Sequence, residues 1–92
     1  MDNLRYGKKW LDGAIREVAG DRGIPVERVH FKEPIWTDED DLVHMEVFPR
    51  EGESFEMVIP GSLMKCIRDD EECRREAISR IGDFFSRMKA RE

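Results

Sequence analysis

Long apolar runs are missing from this sequence, which excludes several classes of protein. No apolar stretch approaches the roughly 18 residues that a membrane-spanning helix needs. The first residues, Met1 to Arg5, open no apolar segment of signal-peptide length. We therefore predict a protein without membrane contact, and a cytoplasmic localisation is the default expectation.

Cysteine is scarce, because Cys66 and Cys73 are the only two in the chain. Two cysteines are too few for a disulfide scaffold. One continuous helix would separate them by about 10.5 Å, too far for a disulfide, although a break at Asp69-Asp70 would change that geometry. We interpret both as buried structural thiols.

Histidine and the familiar catalytic motifs are equally scarce. His30 and His44 are expected on the outer face of a sheet, several residues apart along the ladder, which is a poor arrangement for a shared metal ion. Glycine-rich phosphate loops, the HExxH zinc helix and the GxSxG nucleophile turn are absent. We predict no metal site, no cofactor, no catalytic residues and no enzymatic activity.

What the sequence does contain is apolar clusters among abundant charge. Of its 92 residues, 39% are hydrophobic and 40% are charged, and the clustering favours a folded chain of one domain, residues 1–92. The negative charge is concentrated in residues 29–62, which contain nine carboxylates and only two basic residues, Lys32 and Arg50. The net charge of the whole chain is −5. The flanking segments are nearly balanced in charge. The middle third, by contrast, would repel anionic partners.

An amphipathic helix is predicted from about Asn3 to Ala19, with Gly20 just beyond its end. Gly7 and Gly13 weaken its interior and would permit close packing against another element. Apolar residues recur on one face of this helix: Trp10, Leu11, Ala14, Ile15 and Val18.

Three strands are predicted next, over Val29 to Trp36, Leu42 to Phe48 and Ser54 to Ile59. Their short connections favour an antiparallel meander. A hairpin centred on Glu39 would set Lys32 opposite Glu46 and His30 opposite Phe48. In this arrangement Val43, Met45 and Val47 share the core face with Phe55, Met57 and Ile59.

Glu33 breaks the alternation, because strict alternation would bury it beside Phe31 and Ile35. Pro34 cannot donate to a ladder, and strand prolines occur at edges and bulges, so we favour a bulge that releases Glu33 to solvent. Such a bulge would also turn Trp36 inward.

The remainder is predicted to be helical. Ser62 caps a short helix through Ile67, and Asp69 or Asp70 caps a longer one. The predicted fold class is therefore α+β, an α-β-β-β-α-α order with the helices packed on one face of the sheet.

This order resembles that of the double-stranded-RNA-binding domain over most of the chain. That family places a lysine-rich cluster at the start of its last helix. Here the corresponding stretch is Asp69-Asp70-Glu71-Glu72, which would repel phosphate. The resemblance is thus one of element order alone, and the RNA-binding function of that family is not carried over.

The outer face of the sheet is the favoured site, since two layers leave it uncovered. We expect a non-catalytic protein–protein interaction module that binds either an unidentified protein or a second copy of itself. Scattered exposed hydrophobes are also common on ordinary surfaces. The expected interaction face contains Trp36, Leu42, His44, Phe48 and Val58.

The alternative is nucleic-acid binding through the basic side of the first helix. Aromatic residues accompany these cations, but helical phasing assigns Trp10 to the apolar face, and Asp12 lies among the cations. The overall charge makes nucleic acid the less favoured partner. The candidate contacts are Arg5, Lys8, Lys9 and Arg16.

Overall fold

The computed structural model describes residues 3–32 and 41–89 of the chain. Within these ranges the chain forms the predicted α-β-β-β-α-α order, with a sheet of strand order β1-β2-β3 in which both neighbouring pairs are antiparallel. The elements are α1 (Asn3–Asp21), β1 (Val26–Phe31), β2 (Leu42–Pro49), β3 (Phe55–Pro60), α2 (Gly61–Cys66) and α3 (Glu71–Lys89).

One apolar core joins the helices to the inner face of the sheet. Strand alternation points every second side chain of β2 and β3 inward, and the predicted core face of these strands is confirmed. Phe55 contributes an aromatic cluster at one end, with its ring centroid 5.5 Å from Phe84 and 5.8 Å from Phe85. The buried side chains of β2 and β3 are Val43, Met45, Val47, Met57 and Ile59.

The end of α1 lies later than predicted, because Gly23 rather than Gly20 terminates the helix. Gly23 has a φ of 75°, a backbone conformation that glycine adopts without steric cost. Its N–H donates to the Gly20 carbonyl at 3.0 Å, and the Ile24 N–H donates to the Ala19 carbonyl at 2.8 Å. These two bonds form a Schellman motif, which extends the helix to Asp21.

The two glycines inside α1 have different surroundings. A Cβ atom on Gly7 would lie 2.6 Å from the Met64 carbonyl oxygen, so glycine lets α1 approach α2 closely. A Cβ on Gly13 would meet nothing within 4 Å. The predicted close packing is therefore confirmed at Gly7 and wrong at Gly13.

The first strand begins earlier than predicted, at Val26 rather than Val29. A register shift between Val26 and Arg28 leaves Glu27 as an extra residue opposite β2. Two consecutive exposed side chains, Glu27 and Arg28, interrupt the alternation there, which explains why the pattern missed these residues. The strand ends at Phe31 within the described part, and the predictions for Glu33, Pro34 and Trp36 lie outside the described residues.

The predicted register between β1 and β2 was wrong by two residues. His30 lies opposite Glu46 rather than Phe48, and the Lys32 N–H donates to the His44 carbonyl at 3.0 Å. Since side chains alternate with a period of two, a shift of two residues keeps every side chain on its predicted face.

The N-terminus of α2 is capped from a distant part of the chain. Pro60 precedes the helix and makes no side-chain cap, and the predicted cap, Ser62, lies within it. Asp41 takes this role: its backbone carbonyl accepts from the Gly61 N–H at 2.9 Å, and its Oδ1 accepts from the Ser62 N–H at 3.1 Å. Asp41 has a φ of 50°, which aspartate tolerates better than most residues.

The prediction of two structural thiols was wrong, because Cys66 and Cys73 form a disulfide. Their Cα atoms lie 6.0 Å apart, since the chain breaks between α2 and α3 instead of continuing as one helix. Asp70, one of the two predicted caps, caps α3, and its Oδ1 accepts from the Glu72 N–H at 2.9 Å. The break at Asp69-Asp70 therefore brings the two sulfurs within bonding distance.

Candidate functional site: the outer face of the sheet

The helices cover one face of the sheet and leave the other without a packed layer in the described part of the chain. Alternation sends the odd-numbered residues of β2 and β3 inward and the even-numbered residues outward. We call this second surface the outer face. Its residues are Arg28, His30 and Lys32, then Leu42, His44, Glu46 and Phe48, and finally Glu56 and Val58.

A charged network crosses the middle of the outer face. Lys32 Nζ donates to Glu56 Oε2 at 2.6 Å, so the residue directly after β1 is tied to β3 across β2. His44 Nδ1 lies 3.4 Å from the other carboxylate oxygen of Glu56. Glu46, directly opposite Glu56 on β2, accepts from the Ser54 hydroxyl at 2.6 Å.

The network changes the proton affinities of its two main partners. Hydrogen bonds from Lys32 and then His44, together with the positive charge of Lys32, lower the pKa of the Glu56 carboxyl below its ordinary value. In return, the hydrogen bond to Glu56 and its negative charge raise the pKa of Lys32. Both groups are therefore ionised over a wider pH range than isolated side chains would be.

Apolar side chains lie at both ends of this network. Leu42 and Val58 sit at one end, and each is 38% exposed. Val58 lies opposite His44, and Leu42 lies opposite Pro60, so the two apolar side chains are diagonal neighbours across β2 and β3.

The opposite end is formed by Phe48, which is half-buried. The Arg28 guanidinium lies 4.3 Å from its ring centroid, a cation–π contact that covers part of the ring. Phe48 therefore offers less uncovered apolar surface than the sequence alone indicated.

The structure brings together four of the five residues that the sequence assigned to the interaction face. Leu42, His44, Phe48 and Val58 all lie on the outer face, and Trp36 lies outside the described residues. The sequence did not indicate that Lys32 and Glu56 would pair over the centre of this face. That contact depends on the corrected register, which the alternation pattern does not determine.

The four basic residues of α1 do not form one uncommitted cationic surface. Arg16 pairs with Asp12 at 2.6 Å, and its guanidinium also donates to the Val26 and Glu27 carbonyls at the start of β1. Arg16 thus satisfies backbone groups at the bulged end of an edge strand.

The other three cations of α1 are exposed, and their i, i+3 and i+4 spacing places them on one side of the helix. Lys8 Nζ lies 5.6 Å from the ring centroid of Phe31, beside β1. Lys9 borders a groove on the α3 side of α1, and Arg5 lies in the first turns of the helix.

A second apolar surface, which the sequence analysis missed, lies on the helical side. A groove of roughly 460 Å³ runs along α1 and reaches α3 at Ile78, and we call it the α1–α3 groove. Ile78 is its α3 member and is 46% exposed, while Trp10 is half-buried beside it. Ile78 follows buried Ala77 by about 100° around the helix, at the margin of the buried side of α3.

Features that hold metal ions or span membranes are absent from the residues that the structure describes. Among residues 3–32 and 41–89, no cluster of three or more His, Cys, Asp or Glu side chains could hold a metal ion. None of the described helices is both long and apolar enough to cross a membrane. Comparison of the chain with protein-family models, curated proteins and solved structures found no match. The functions of the outer face and the α1–α3 groove are therefore inferred from the residues of each surface.

Proposed function

We propose that this protein is a non-catalytic protein–protein interaction module that pairs with a second copy of itself through the outer face. The observation that supports this proposal is the composition of that face, where exposed Leu42 and Val58 lie together at one end of a charged network. A sheet with one uncovered face commonly uses it for association when the face carries apolar side chains.

The charges of the outer face are segregated by strand, which favours a copy of the same chain as the partner. The outward residues of β1 are Arg28 and His30, with Lys32 directly after the strand, and all three are basic types, whereas β3 presents Glu56. A two-fold axis parallel to the strands would lay β1 of each copy over β3 of the other. His30, which shares a row with Glu56 across the sheet, would then face the partner's Glu56 twice, once in each direction.

The dimensions of the face limit the strength of this association. Three strands about 4.8 Å apart, each six to eight residues long at about 3.4 Å per residue, cover roughly 300–400 Å². Standard stable interfaces bury about 800 Å² on each partner. We therefore expect a reversible dimer with a dissociation constant on the order of 100 µM.

The test is sedimentation equilibrium over a range of protein concentrations. The wild-type chain of 10.8 kDa should approach twice that mass as the concentration rises. Val58→Asp and Leu42→Asp place a carboxylate in the apolar end of the face, so each should weaken dimerisation at least tenfold. Phe48→Asp should act in the same direction.

Ile78→Asp is the matched control, because Ile78 is as exposed as Val58 but lies in the α1–α3 groove. This variant should retain wild-type dimerisation. A wild-type chain that remains folded and monomeric near 1 mM, about tenfold above the expected constant, would rule out the proposal. If Ile78→Asp disrupted dimerisation and Val58→Asp did not, the dimer interface would lie in the α1–α3 groove instead of on the outer face.

Nucleic-acid binding through α1 stays the alternative prediction. Its test is a salt-dependent mobility shift with RNA or DNA that Lys8→Glu and Lys9→Glu abolish. The absence of a shift at low salt would eliminate it. The engagement of Arg16 with Asp12 and β1 leaves fewer cations for phosphate and makes this alternative weaker.

Cytoplasmic localisation also stays a prediction, and the disulfide bears on it. Disulfides persist in oxidising compartments, whereas those in reducing ones are mostly transient or redox-sensing. A cytoplasmic location is therefore compatible with the structure if the Cys66–Cys73 bond is reversible.

A further inference from the structure

The Cys66–Cys73 disulfide spans the turn between α2 and α3, and both cysteines are only half-buried. We propose that these two residues form a redox site that exchanges reversibly with a low-molecular-weight thiol–disulfide couple such as glutathione. This role is separate from the outer face, which lies on the opposite side of the sheet from the helices.

Contacts that do not involve sulfur hold the turn in place. Arg74 Nη1 donates to the Ile67 carbonyl at 2.8 Å and to the Arg68 carbonyl at 3.3 Å. The N–H groups of Asp69 and Asp70 donate to the Cys66 carbonyl at 3.2 and 3.0 Å. These bonds satisfy carbonyls at the end of α2 that would otherwise lack partners.

Burial in the core anchors the helices on both sides of the turn. Ile67, directly after Cys66, is fully buried, and so is Ala77, one helical turn beyond Cys73. The α2 residue Met64 is fully buried against α1 at Gly7. After reduction of the disulfide, the backbones of both cysteines therefore keep the positions that they have in the oxidised protein.

Because the two cysteines stay close together after reduction, thiol–disulfide exchange at this site is efficient. Two groups held in a fixed position react with an effective concentration far above that of free thiols. A small reagent can reach the sulfurs because neither cysteine is fully covered. A bond that reforms readily and is not required for folding is suited to reversible oxidation.

The exchange balances without any metal or cofactor. The thiolate of one cysteine attacks a sulfur of the small disulfide, which releases one small thiol and forms a mixed disulfide. The thiolate of the second cysteine then displaces the other small thiol and forms the Sγ–Sγ bond. Two cysteine thiols are oxidised, one small disulfide is reduced to two thiols, and the cysteine protons pass to the released thiolates.

The experiment equilibrates the full chain with buffers of graded reduced-to-oxidised glutathione ratio and measures the oxidised fraction after acid quenching and alkylation. We expect that fraction to follow the glutathione ratio. Far-UV circular dichroism of the fully reduced protein should match that of the oxidised protein. An oxidised fraction that ignores the ratio, or loss of the fold on reduction, would overturn the proposal.

A pair of neighbouring arginines tests the positioning argument. Arg74→Gln removes the charged bonds to the turn, so the equilibrium constant for disulfide formation should fall about tenfold. Arg75→Gln is the control, because Arg75 is exposed and contacts Glu71 within the same helix at 3.4 Å. That variant should change the constant less than about twofold. Equal effects of the two substitutions would contradict the role of Arg74 in positioning the turn. The glutathione titration of the wild-type chain tests the redox site independently of these variants.

Discussion

The Glu56 carboxylate connects all three strands of the outer face. Its Oε2 accepts a hydrogen bond from Lys32, the residue that follows β1. Its Oε1 lies 3.4 Å from Nδ1 of His44 on β2. All three side chains are substantially exposed, so solvent and salt weaken their attraction. This network consequently orders the face more than it stabilises the fold.

The lowered pKa of Glu56 gives a pH-dependent prediction. Since its pKa is lower in the folded chain, the pair stabilises the fold above the unfolded value, and this contribution disappears as the pH falls below about 4. The raised pKa of Lys32 has the opposite sign, so the contribution is also lost as the pH rises beyond 10.5. Thermal unfolding should therefore give Glu56→Gln a slightly lower Tm than wild type at neutral pH and the same Tm in acid.

Glu76→Gln provides the comparison for that measurement. Glu76 pairs with Arg80 at 3.8 Å on the surface of α3, a longer contact than that of Glu56. Its effect on the Tm at neutral pH should be smaller. A Tm difference for Glu56→Gln that stays constant from neutral to acidic pH would contradict the account of the network.

At the scale of elements, α1 carries two glycines that sequence reasoning could not tell apart. Both lower helix propensity equally in an isolated helix. Only the tertiary structure reveals that Gly7 lies against the Met64 backbone whereas Gly13 borders open space.

Alanine substitutions at these two positions should change stability in opposite directions. Gly7→Ala forces a methyl group against backbone that cannot move freely and should cost about 1–3 kcal/mol. Gly13→Ala should stabilise the fold by about 0.5–1 kcal/mol, because it improves helix propensity without a clash. Urea unfolding of both variants measures these changes, and a stabilising Gly7→Ala would show that α1 and α2 do not pack as described.

Elements and faces were predictable because they depend on local periodicity. The core face of β2 and β3 followed from alternation, and the break at Asp70 followed from helix-capping chemistry. The α2 cap from Asp41 was not predictable, since it joins residues 20 or more positions apart. The disulfide was missed for a related reason: its geometry depends on how α2 and α3 are oriented after the break.

For the whole molecule, two partly apolar surfaces lie on opposite sides. The α1–α3 groove exposes Ile78, and the outer face exposes Leu42 and Val58. Segregation of basic side chains on β1 from Glu56 on β3 distinguishes the outer face, because that pattern complements itself under two-fold rotation. This complementarity is why we assign association to the sheet rather than to the groove.

Nuclear magnetic resonance spectra of the wild-type chain at increasing concentration test the central claim most directly. Association through the outer face predicts concentration-dependent shifts at the methyl groups of Leu42 and Val58 and at the amides of His30 and Glu56. The signals of Ile78 should remain unchanged. Shifts confined to Ile78 and its neighbours in the groove, or spectra independent of concentration, would contradict self-association through the outer face.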